Sequence, residues 1–596
     1  MYSACRPSWT RHSARPFCFA ALLLLALQLG RLWGCSPAIQ QAAPLPEAEL
    51  VGPPGLAVAG SNQLGVRLTN RSSRRTAVVA RLELKTPTGR PLAHEQTLRL
   101  APGATRQLAL PYQAAEPGLY TGSLKVYEQG SGRLIRAFAD LTIPVWPRWE
   151  FTPDRSYYTS EAQLRFRARL RRGKGEDKKL LVELREGERV RAKQQLPFRG
   201  SEAAGSFAMA QLPPGRYTLR ARLQGPAGIE DSLSYPIYKY PPAAQEIKID
   251  LYTQGLLVEG KPFFPLGLYW LQAEDLEELA RLHFNCGDYF YKLRESQIAA
   301  LMDEAARSGI RILLELTPFI RGRAEPDYQA ITATVERYRR HPALLAWYLV
   351  DEPADAKVDS AQLEGIYQQL RRSDPYHPVY LVNNRPRTYR TYAEASDILA
   401  IDVYPVPDHP LTRVGDYTQQ ARWASQGRKP VWLVAQAFGG VEHWGRPPTP
   451  AELRNMVFQG LVQGASGLLF YRHCQKGEEQ IQPPALWREM RTLAAELAPL
   501  GPVLTAPVPL LAQVECVDGS QGVQAMLREY RGQYYLFVVN CRAAAQRTRF
   551  RLRGLPSLAR VEALYQSQAP ALQDGLLVID LAALGAGIYR LEPAGT

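Results

Sequence analysis

Residues 344–353 read LLAWYLVDEP, an apolar run that ends in two adjacent carboxylic acids and a proline. A short apolar run closed in this way is typical of a strand that is buried on both faces in a parallel sheet. Pro353 cannot donate a backbone hydrogen bond, so we expect the strand to end beside Asp351 and Glu352. Because ligands bind at the carboxyl ends of parallel strands, these two acids are candidates for chemistry.

Seven similar apolar runs surround this segment, and amphipathic stretches of roughly ten to sixteen residues separate them. Stretches such as ESQIAALMDEAARSG and QLEGIYQQLRRSD place apolar residues at i, i+3 and i+4, which is the helical spacing. Eight strand–helix units in about 250 residues match a (β/α)8 barrel, or TIM barrel, in number and size. We therefore predict a barrel over residues 251–500, with strands that begin at Phe263, His283, Ile310, Leu344, Pro378, Asp397, Pro430 and Gly464.

Alternating polar and apolar residues, the period of a β-strand, lie on both sides of the predicted barrel. Before it, residues 48–146 and 147–242 are two such regions, and we predict an immunoglobulin-like β-sandwich in each. After it, residues 501–596 alternate again and predict one C-terminal β-sandwich. None of these regions carries a cluster of catalytic residue types, so we expect the chemistry in the barrel.

Residues 1–35 have the pattern of a signal peptide, in which arginines precede the apolar run at 17–30. That run is about 14 residues long, whereas a bilayer-spanning helix needs roughly 20. The sequence LWGC, ending at Cys35, resembles the lipobox of bacterial lipoproteins, in which the cysteine is lipidated; an ordinary signal peptide ending near it is the alternative. We expect an exported protein that is secreted, periplasmic or tethered to the membrane through Cys35.

Composition and charge narrow the classes of partner. The net charge of +15 would suit an acidic partner, but the basic residues are scattered without an aromatic stacking platform, so we expect no nucleic acid. Neither the cysteines nor the eight histidines have metal-ligand spacing, so we expect no metal and no cofactor. The chain also lacks the Gly-x-Ser-x-Gly motif of serine hydrolases. Whether Cys516 and Cys541 form a disulfide stays open.

The predicted strands end in carboxylates, amides and aromatic rings, and barrel active sites form at such ends. This mixture suits a sugar, because rings stack on its apolar face and a carboxylic acid can protonate a departing glycosidic oxygen. We expect a carbohydrate ligand and no obligate protein partner. The predicted substrate-binding residues are Tyr269, Trp270, Asp288, Glu315, Asn383, Tyr404, Gln436, Trp444 and Tyr471.

The string LLAWYLVDEP resembles the fourth strand of clan A glycoside hydrolases, the group that includes β-galactosidases, cellulases and β-mannanases. The strings GLYW, DVYP and GASGLLFY on strands one, six and eight are also similar to that clan, and the resemblance covers about 250 residues. It implies that Glu352 is the general acid. Asp351 and Gln436 depart from the pattern, which has Asn and a nucleophilic Glu in these places, and an amide cannot form the glycosyl-enzyme ester.

The adjacent acids also resemble those of the β-N-acetylhexosaminidases, in which the acetamide oxygen of the substrate attacks the anomeric carbon. That resemblance implies that Asp351 orients the acetamide and Glu352 protonates the leaving group, with Tyr404 or Gln436 as hydrogen-bonding partners. Neighbouring strand residues point to opposite faces, so both acids can serve one sugar only if the strand ends or bends between them.

Three further alternatives stay open. In the first, Asp402, or else Glu315 or Asp288, is the base or nucleophile opposite Glu352. A distance of about 5 to 5.5 Å between the two carboxyl groups would imply retention of configuration, and about 6.5 to 9.5 Å would imply inversion. In another class, the barrel is inactive and binds glycans at the cell surface. In the last, the chain is a structural protein of the cell envelope.

Overall fold

A computed structural model of the chain describes residues 45–51, 57–289, 292–474, 478, 480–508, 513–517, 522–566 and 569–594. The predicted signal peptide and Cys35 lie outside the described residues. Within these ranges, no helix combines the length and the apolar character that crossing a bilayer requires.

Two pairs of antiparallel sheets precede the barrel. The first pair contains β1 (Glu47–Val51), β2 (Gly60–Thr69), β3 (Thr76–Lys85), β4 (Pro91–Leu100), β5 (Thr105–Ala114), β6 (Gly118–Glu128) and β7 (Leu134–Val145). Its strand orders are β1-β2-β5 and β4-β3-β6-β7. Alternate residues of β3 and β5 are buried, and these apolar side chains form one core between the sheets.

The second pair has its own core. It contains β8 (Trp149–Pro153), β9 (Gln163–Leu170), β10 (Lys179–Glu186), β11 (Arg189–Pro197), β12 (Glu202–Ala208), β13 (Gly215–Gly225) and β14 (Gly228–Lys239). Its strand orders are β12-β9-β8 and β11-β10-β13-β14. A small sheet follows, formed by β15 (Ile247–Asp250), β16 (Gly255–Val258) and β17 (Lys261–Phe263), and its apolar residues pack against the barrel interior.

Eight parallel strands close a barrel in sequence order, which confirms the predicted TIM barrel. Each of the eight predicted segments contains one barrel strand. The strands are β18 (Leu266–Leu268), β19 (Cys286–Gly287), β20 (Arg311–Glu315), β21 (Leu344–Asp351), β22 (Val379–Val382), β23 (Ile398–Val403), β24 (Val431–Gln436) and β25 (Gly467–Tyr471). Strand β21 is buried at every position before Asp351, as its apolar sequence predicts.

Helices surround the barrel, and three of them begin at a residue whose side chain caps the helix: Asp327, Asp359 and Thr449. The helices are α1 (Leu276–Arg281), α2 (Glu295–Ser308), α3 (Tyr328–Tyr338), α4 (Ser360–Ser373), α5 (Tyr389–Ala393), α6 (Arg413–Ala424), α7 (Pro450–Val462), α8 (Pro484–Leu497) and α9 (Gly501–Leu504). Thr449 and Glu452 form a capping box at the start of α7, and Gly309 ends α2 with a φ of 75°, in the left-handed region. Short 3-10 turns lie at Ala273–Asp275, Thr317–Phe319 and Pro386–Thr388.

The C-terminal region is a further pair of four-stranded antiparallel sheets. The strands are β26 (Gln513–Cys516), β27 (Val523–Tyr530), β28 (Gln533–Asn540), β29 (Gln546–Arg553), β30 (Leu558–Leu564), β31 (Ala571–Gln573), β32 (Leu576–Leu581) and β33 (Ala586–Pro593). The strand orders are β26-β29-β32-β31 and β27-β28-β33-β30. It packs on α7, where Asn455 Nδ2 donates to the carbonyl oxygens of Asn540 and Leu584 at 2.8 and 2.9 Å. No disulfide joins Cys516 to Cys541 in this structure.

Candidate active site

A cleft with two adjoining lobes, each with a volume of about 360 Å³, is lined by the carboxyl ends of the barrel strands and the loops after them. The aromatic lobe is lined by Tyr269, Trp270, Asp351, Val382, Phe438, Val441, Tyr471 and Arg472. The polar lobe is lined by Asp355, Asn384, Val403, Pro405, Val406, Asp408, His409, Arg413, Tyr417 and His443. Both lobes share Glu352, Asp402, Tyr404, Glu442 and Trp444.

The backbone turns sharply between the two adjacent acids. Strand β21 ends at Asp351, and Glu352 has a φ of 42°, in the left-handed region that residues other than glycine rarely adopt. This conformation costs about 1 to 2 kcal/mol, and it removes the strand alternation that would send the two side chains to opposite faces. As a result, Asp351 and Glu352 both line the aromatic lobe.

The Asp351 carboxylate is held by two donors on neighbouring elements. Tyr348 Oη donates to its Oδ1 at 2.8 Å, and Arg321 Nη1 donates to its Oδ2 at 3.2 Å. Burial, followed by the nearby charge of Glu352, raises the pKa of Asp351 to about 6, although Tyr348 and Arg321 act in the opposite direction. Asp351 is therefore an oriented carboxylate that is charged above about pH 6.

The Glu352 carboxyl lies between an amide and a second acid. Asn384 Nδ2 donates to Glu352 Oε1 at 2.8 Å, and the Glu352 carboxyl also hydrogen bonds that of Asp402. Among the described residues, no amide, hydroxyl or guanidinium donor reaches Asp402 Oδ1. Burial and the charge of Glu352 raise the pKa of Asp402 well above its usual range. Two carboxyls can hydrogen bond only with a proton between them, and the raised pKa of Asp402 favours a proton on that residue, beside Glu352.

Aromatic rings form one wall of the cleft. The Tyr471 ring lies 5.4 Å from that of Trp270, 5.7 Å from that of Tyr404 and 5.1 Å from that of Phe438, measured between centroids. Trp444 extends this wall, with its ring centroid 5.7 Å from that of Tyr404. Rings this close fix one another, so the wall is a preformed surface on which the apolar face of a planar or ring-shaped ligand can stack.

A tyrosine network supports the floor of the aromatic lobe. Tyr269 Oη lies 2.8 Å from Tyr380 Oη and 3.3 Å from Tyr348 Oη, and Tyr348 in turn donates to Asp351. Trp270 has a φ of 69°, and its backbone N–H donates to Asp288 Oδ1 at 2.9 Å. Asp288 therefore holds the backbone that carries a ring of the wall.

The structure differs from the sequence prediction at four residues that do not line either lobe: Asp288, Glu315, Asn383 and Gln436. All four side chains are buried inside the protein. The Gln436 amide exchanges two hydrogen bonds with the backbone of Val406, at 2.9 and 2.8 Å, which leaves it no free face for a substrate. Asn383 is bonded to the Thr388 hydroxyl and accepts from the Arg385 N–H.

Glu315 and Asp288 lie behind the cleft, close to its carboxylates. Burial and the charge of Asp351 raise the pKa of Glu315 to about 8, although hydrogen bonds from the Thr317 side chain and from its N–H, the latter at 3.4 Å, act in the opposite direction. Burial and the charge of Glu315 raise the pKa of Asp288 well above its usual range. Both groups are therefore neutral carboxylic acids near pH 7.

Asn384 and Glu442 are among the cleft residues that the sequence analysis did not name as ligand contacts. Asn384 reaches the cleft, whereas its neighbour Asn383 does not, and two adjacent amides after a strand give no sign of which one turns inward. Glu442 has a φ of 52° in a tight turn closed by a 3.1 Å bond from the Trp444 N–H to the Val441 carbonyl. Glu442 was not predicted because it lies several residues after the end of β24, and it reaches the cleft only through this turn.

Across the described ranges, no group of three or more His, Cys, Asp or Glu side chains has the arrangement of a metal site. No protein-family model and no curated protein matches the chain. Solved structures to which the chain shows distant similarity include a cyclomaltodextrinase, an α-amylase from Anoxybacillus and a β-glucuronidase from Ruminococcus gnavus.

These three structures are distant from the chain. The cyclomaltodextrinase is 10% identical, with 75% of this chain and 99% of that chain covered and a TM-score of 0.44. The α-amylase is 9% identical, with 54% of this chain and 90% of that chain covered and a TM-score of 0.40. The β-glucuronidase is 12% identical, with 74% of this chain and 88% of that chain covered and a TM-score of 0.33. Similarity at this level does not extend to activity.

Proposed function

We propose that the protein is a glycoside hydrolase in which Glu352 is the general acid. The observation that carries this proposal is the turn at Glu352, which brings Asp351 and Glu352 together in one cleft with an aromatic wall. Cleavage of a glycosidic bond needs a carboxylic acid beside the departing oxygen, and the rings offer a face on which a pyranose can stack. Asp402, whose raised pKa keeps a proton beside Glu352, can supply the proton for that transfer.

Among the mechanisms, the site favours attack by the substrate itself. Gln436 is no nucleophile, and Asp402 contacts Glu352 directly instead of facing it across the space for a sugar, which takes about 5 Å or more. In this proposal the acetamide oxygen of a 2-acetamido sugar attacks the anomeric carbon while Glu352 gives its proton to the departing oxygen. Asp351, oriented by Tyr348 and Arg321, accepts the acetamide N–H and stabilises the positive charge that develops. Glu352 then deprotonates the water that opens the cyclic intermediate.

The test is hydrolysis of a panel of aryl glycosides and oligosaccharides, with and without 2-acetamido groups, measured as released phenol or reducing sugar. Glu352→Gln removes the proton but keeps the shape, so we expect the rate to fall about 100- to 10,000-fold. Glu364→Gln, an exposed change on α4, is the matched control and should retain the wild-type rate. Equal rates for wild type and Glu352→Gln would contradict the proposal.

A second candidate is a barrel that binds glycans without cleaving them. The direct contact of Glu352 with Asp402 favours it, because this contact leaves no second carboxylate at either of the separations that two-carboxylate hydrolysis uses. Binding of the panel by calorimetry, with no turnover in the wild type or in Glu352→Gln, would support this receptor.

We also propose that residues 1–35 export the protein, which is secreted or held at the envelope by a lipid on Cys35. In the same proposal, residues 48–146 and 147–242 are immunoglobulin-like sandwiches that act as spacers or glycan-contacting modules, and residues 501–596 form a sandwich beside the barrel. Mass spectrometry of the mature N-terminus tests the export step: an acylated Cys35 supports the lipoprotein, and an intact Met1 in fractionated cells contradicts export.

A further inference from the structure

A groove of about 1180 Å³ lies between the first pair of sheets and the barrel. We call it the sheet–helix groove. On one side it is lined by the sheet that contains β3 and β6, with Glu83, Lys85, Thr121 and Ser123 among its residues. On the other side it is lined by the start of α5 and by α6, with Arg387, Arg390, Tyr417, Gln420 and Trp423. The groove exceeds the roughly 300 to 1,000 Å³ of ordinary small-molecule pockets.

The sheet–helix groove borders the candidate active site at one residue, Tyr417. Tyr417 lines both the groove and the polar lobe of the cleft. Its ring is fixed between Tyr389, at a centroid distance of 6.4 Å, and the Arg413 guanidinium, which lies 5.6 Å from the ring centroid. Tyr417 is therefore an ordered ring at the border between the polar lobe and the groove.

The groove also has the chemistry that a sugar chain needs. Trp423 is half-buried and, with Tyr417, offers aromatic surface, while Gln420, Thr121 and Ser123 can bond hydroxyl groups. Arg387 and Arg390 also line it. Planar guanidinium groups bind pairs of oxygen atoms, such as neighbouring hydroxyls or a uronate carboxylate.

We propose that the sheet–helix groove binds the distal sugars of a polymeric glycan whose other end occupies the cleft. The first pair of sheets would thus be part of the substrate-binding surface. This inference rests on the proposed function for its kinetic test, because it extends the same site. It predicts that the substrate is a polysaccharide several sugars long and that affinity rises with chain length.

Two groove variants test the inference: Trp423→Ala and the double variant Arg387→Ala/Arg390→Ala. For a substrate that the wild type cleaves, kcat/KM is measured on the polymer and on a two-sugar fragment. We expect the ratio of the two values to fall about tenfold in each variant, which corresponds to the loss of a stacking or charge-assisted contact. Leu572→Ala, an exposed apolar change on β31, should leave the ratio unaltered. Since neither arginine belongs to the buried core, the double variant should fold even if Trp423→Ala does not.

A binding measurement separates the failure of this inference from the failure of the proposed function. Retardation of the native protein is measured in gels that contain hydroxyethyl cellulose, galactomannan or glycol chitin. If the wild type cleaves no substrate but is retarded, and the groove variants are not retarded, then the groove binds glycans and the proposed hydrolase activity is wrong. An unchanged polymer-to-fragment ratio, or a wild type that none of the polymers retards, overturns the groove.

Discussion

The carboxyl group of Glu352 hydrogen bonds that of Asp402, which is only 7% exposed at the carboxyl end of β23. Because Asp402 is buried and its pKa is raised, it keeps its proton beside Glu352. In addition, the charges of Glu352 and Asp351 each raise the pKa of Asp402.

Asp402→Asn should therefore move the alkaline limb of the kcat/KM profile to lower pH. The substitution removes the buried carboxyl with the raised pKa, and with it the proton that Asp402 keeps beside Glu352 as the pH rises. Rates on an aryl glycoside from pH 4 to pH 10 give the measurement. An alkaline limb at the wild-type position would show that the pair does not supply the catalytic proton.

Arg321→Ala should move the acidic limb of the profile to higher pH. Asp351 has a pKa of about 6 while Arg321 is paired with it at 3.2 Å, so loss of the cation raises that pKa further and keeps the carboxyl neutral over a wider range. Arg323→Ala is the control, because Arg323 pairs with Asp327 at 3.8 Å instead. Coincident acidic limbs for Arg321→Ala and the wild type would mean that ionised Asp351 is not required.

Asp351→Asn and Glu442→Gln should differ strongly if the substrate supplies the nucleophile. Loss of the oriented Asp351 carboxylate should lower kcat about 100- to 10,000-fold, whereas Glu442→Gln should lower it less than about tenfold. Glu442 lines both lobes and has a carboxylate near the cleft, so it is the appropriate rival. A loss above about 1,000-fold for Glu442→Gln, rescued by azide as external nucleophile, would favour a two-carboxylate mechanism instead.

Glu315→Gln should stabilise the protein increasingly as the pH rises from about 5 to about 8. The folded-state pKa of about 8 exceeds the unfolded value, so the folded protein binds an extra proton in this window and loses stability as the pH rises. A neutral amide avoids this loss, and we expect a gain of about 1 to 4 kcal/mol near pH 8. Thermal unfolding at pH 5 and pH 8 measures it, with Glu277→Gln, 78% exposed, as the control. A stability difference that does not change with pH would contradict the buried neutral acid.

The barrel could be predicted from sequence because each of its strands is a short apolar run buried on both faces, as in residues 344–351. The position of Glu352 at a strand end followed from Pro353 in the same way. The left-handed turn at Glu352 could not be predicted, since nothing in a glutamate side chain favours that conformation; tertiary packing imposes it.

The candidate site was only partly predictable, because the direction of each side chain determines whether that residue lines the cleft. Gln436 ends β24 as a substrate-binding residue would, yet it turns to the backbone of Val406 in the neighbouring loop. Asn383 and Asn384 are identical residues at adjacent positions, and the pairing of Asn383 with Thr388 determines which of them faces the cleft. Glu442 lies at the site because of the conformation of its loop, and the hydrophobic pattern of the sequence does not predict loop conformations.

The packing of α7 limits how the chain can be divided. Eight of its thirteen residues are buried, and the C-terminal sheets cover it, with Asn455 bonded to two of their carbonyl groups. A barrel cut after residue 500 would present this helix, and the unsatisfied amide on it, to solvent. Truncation of the protein for biochemistry, or its fusion to other modules, should therefore keep the barrel and the C-terminal sheets together.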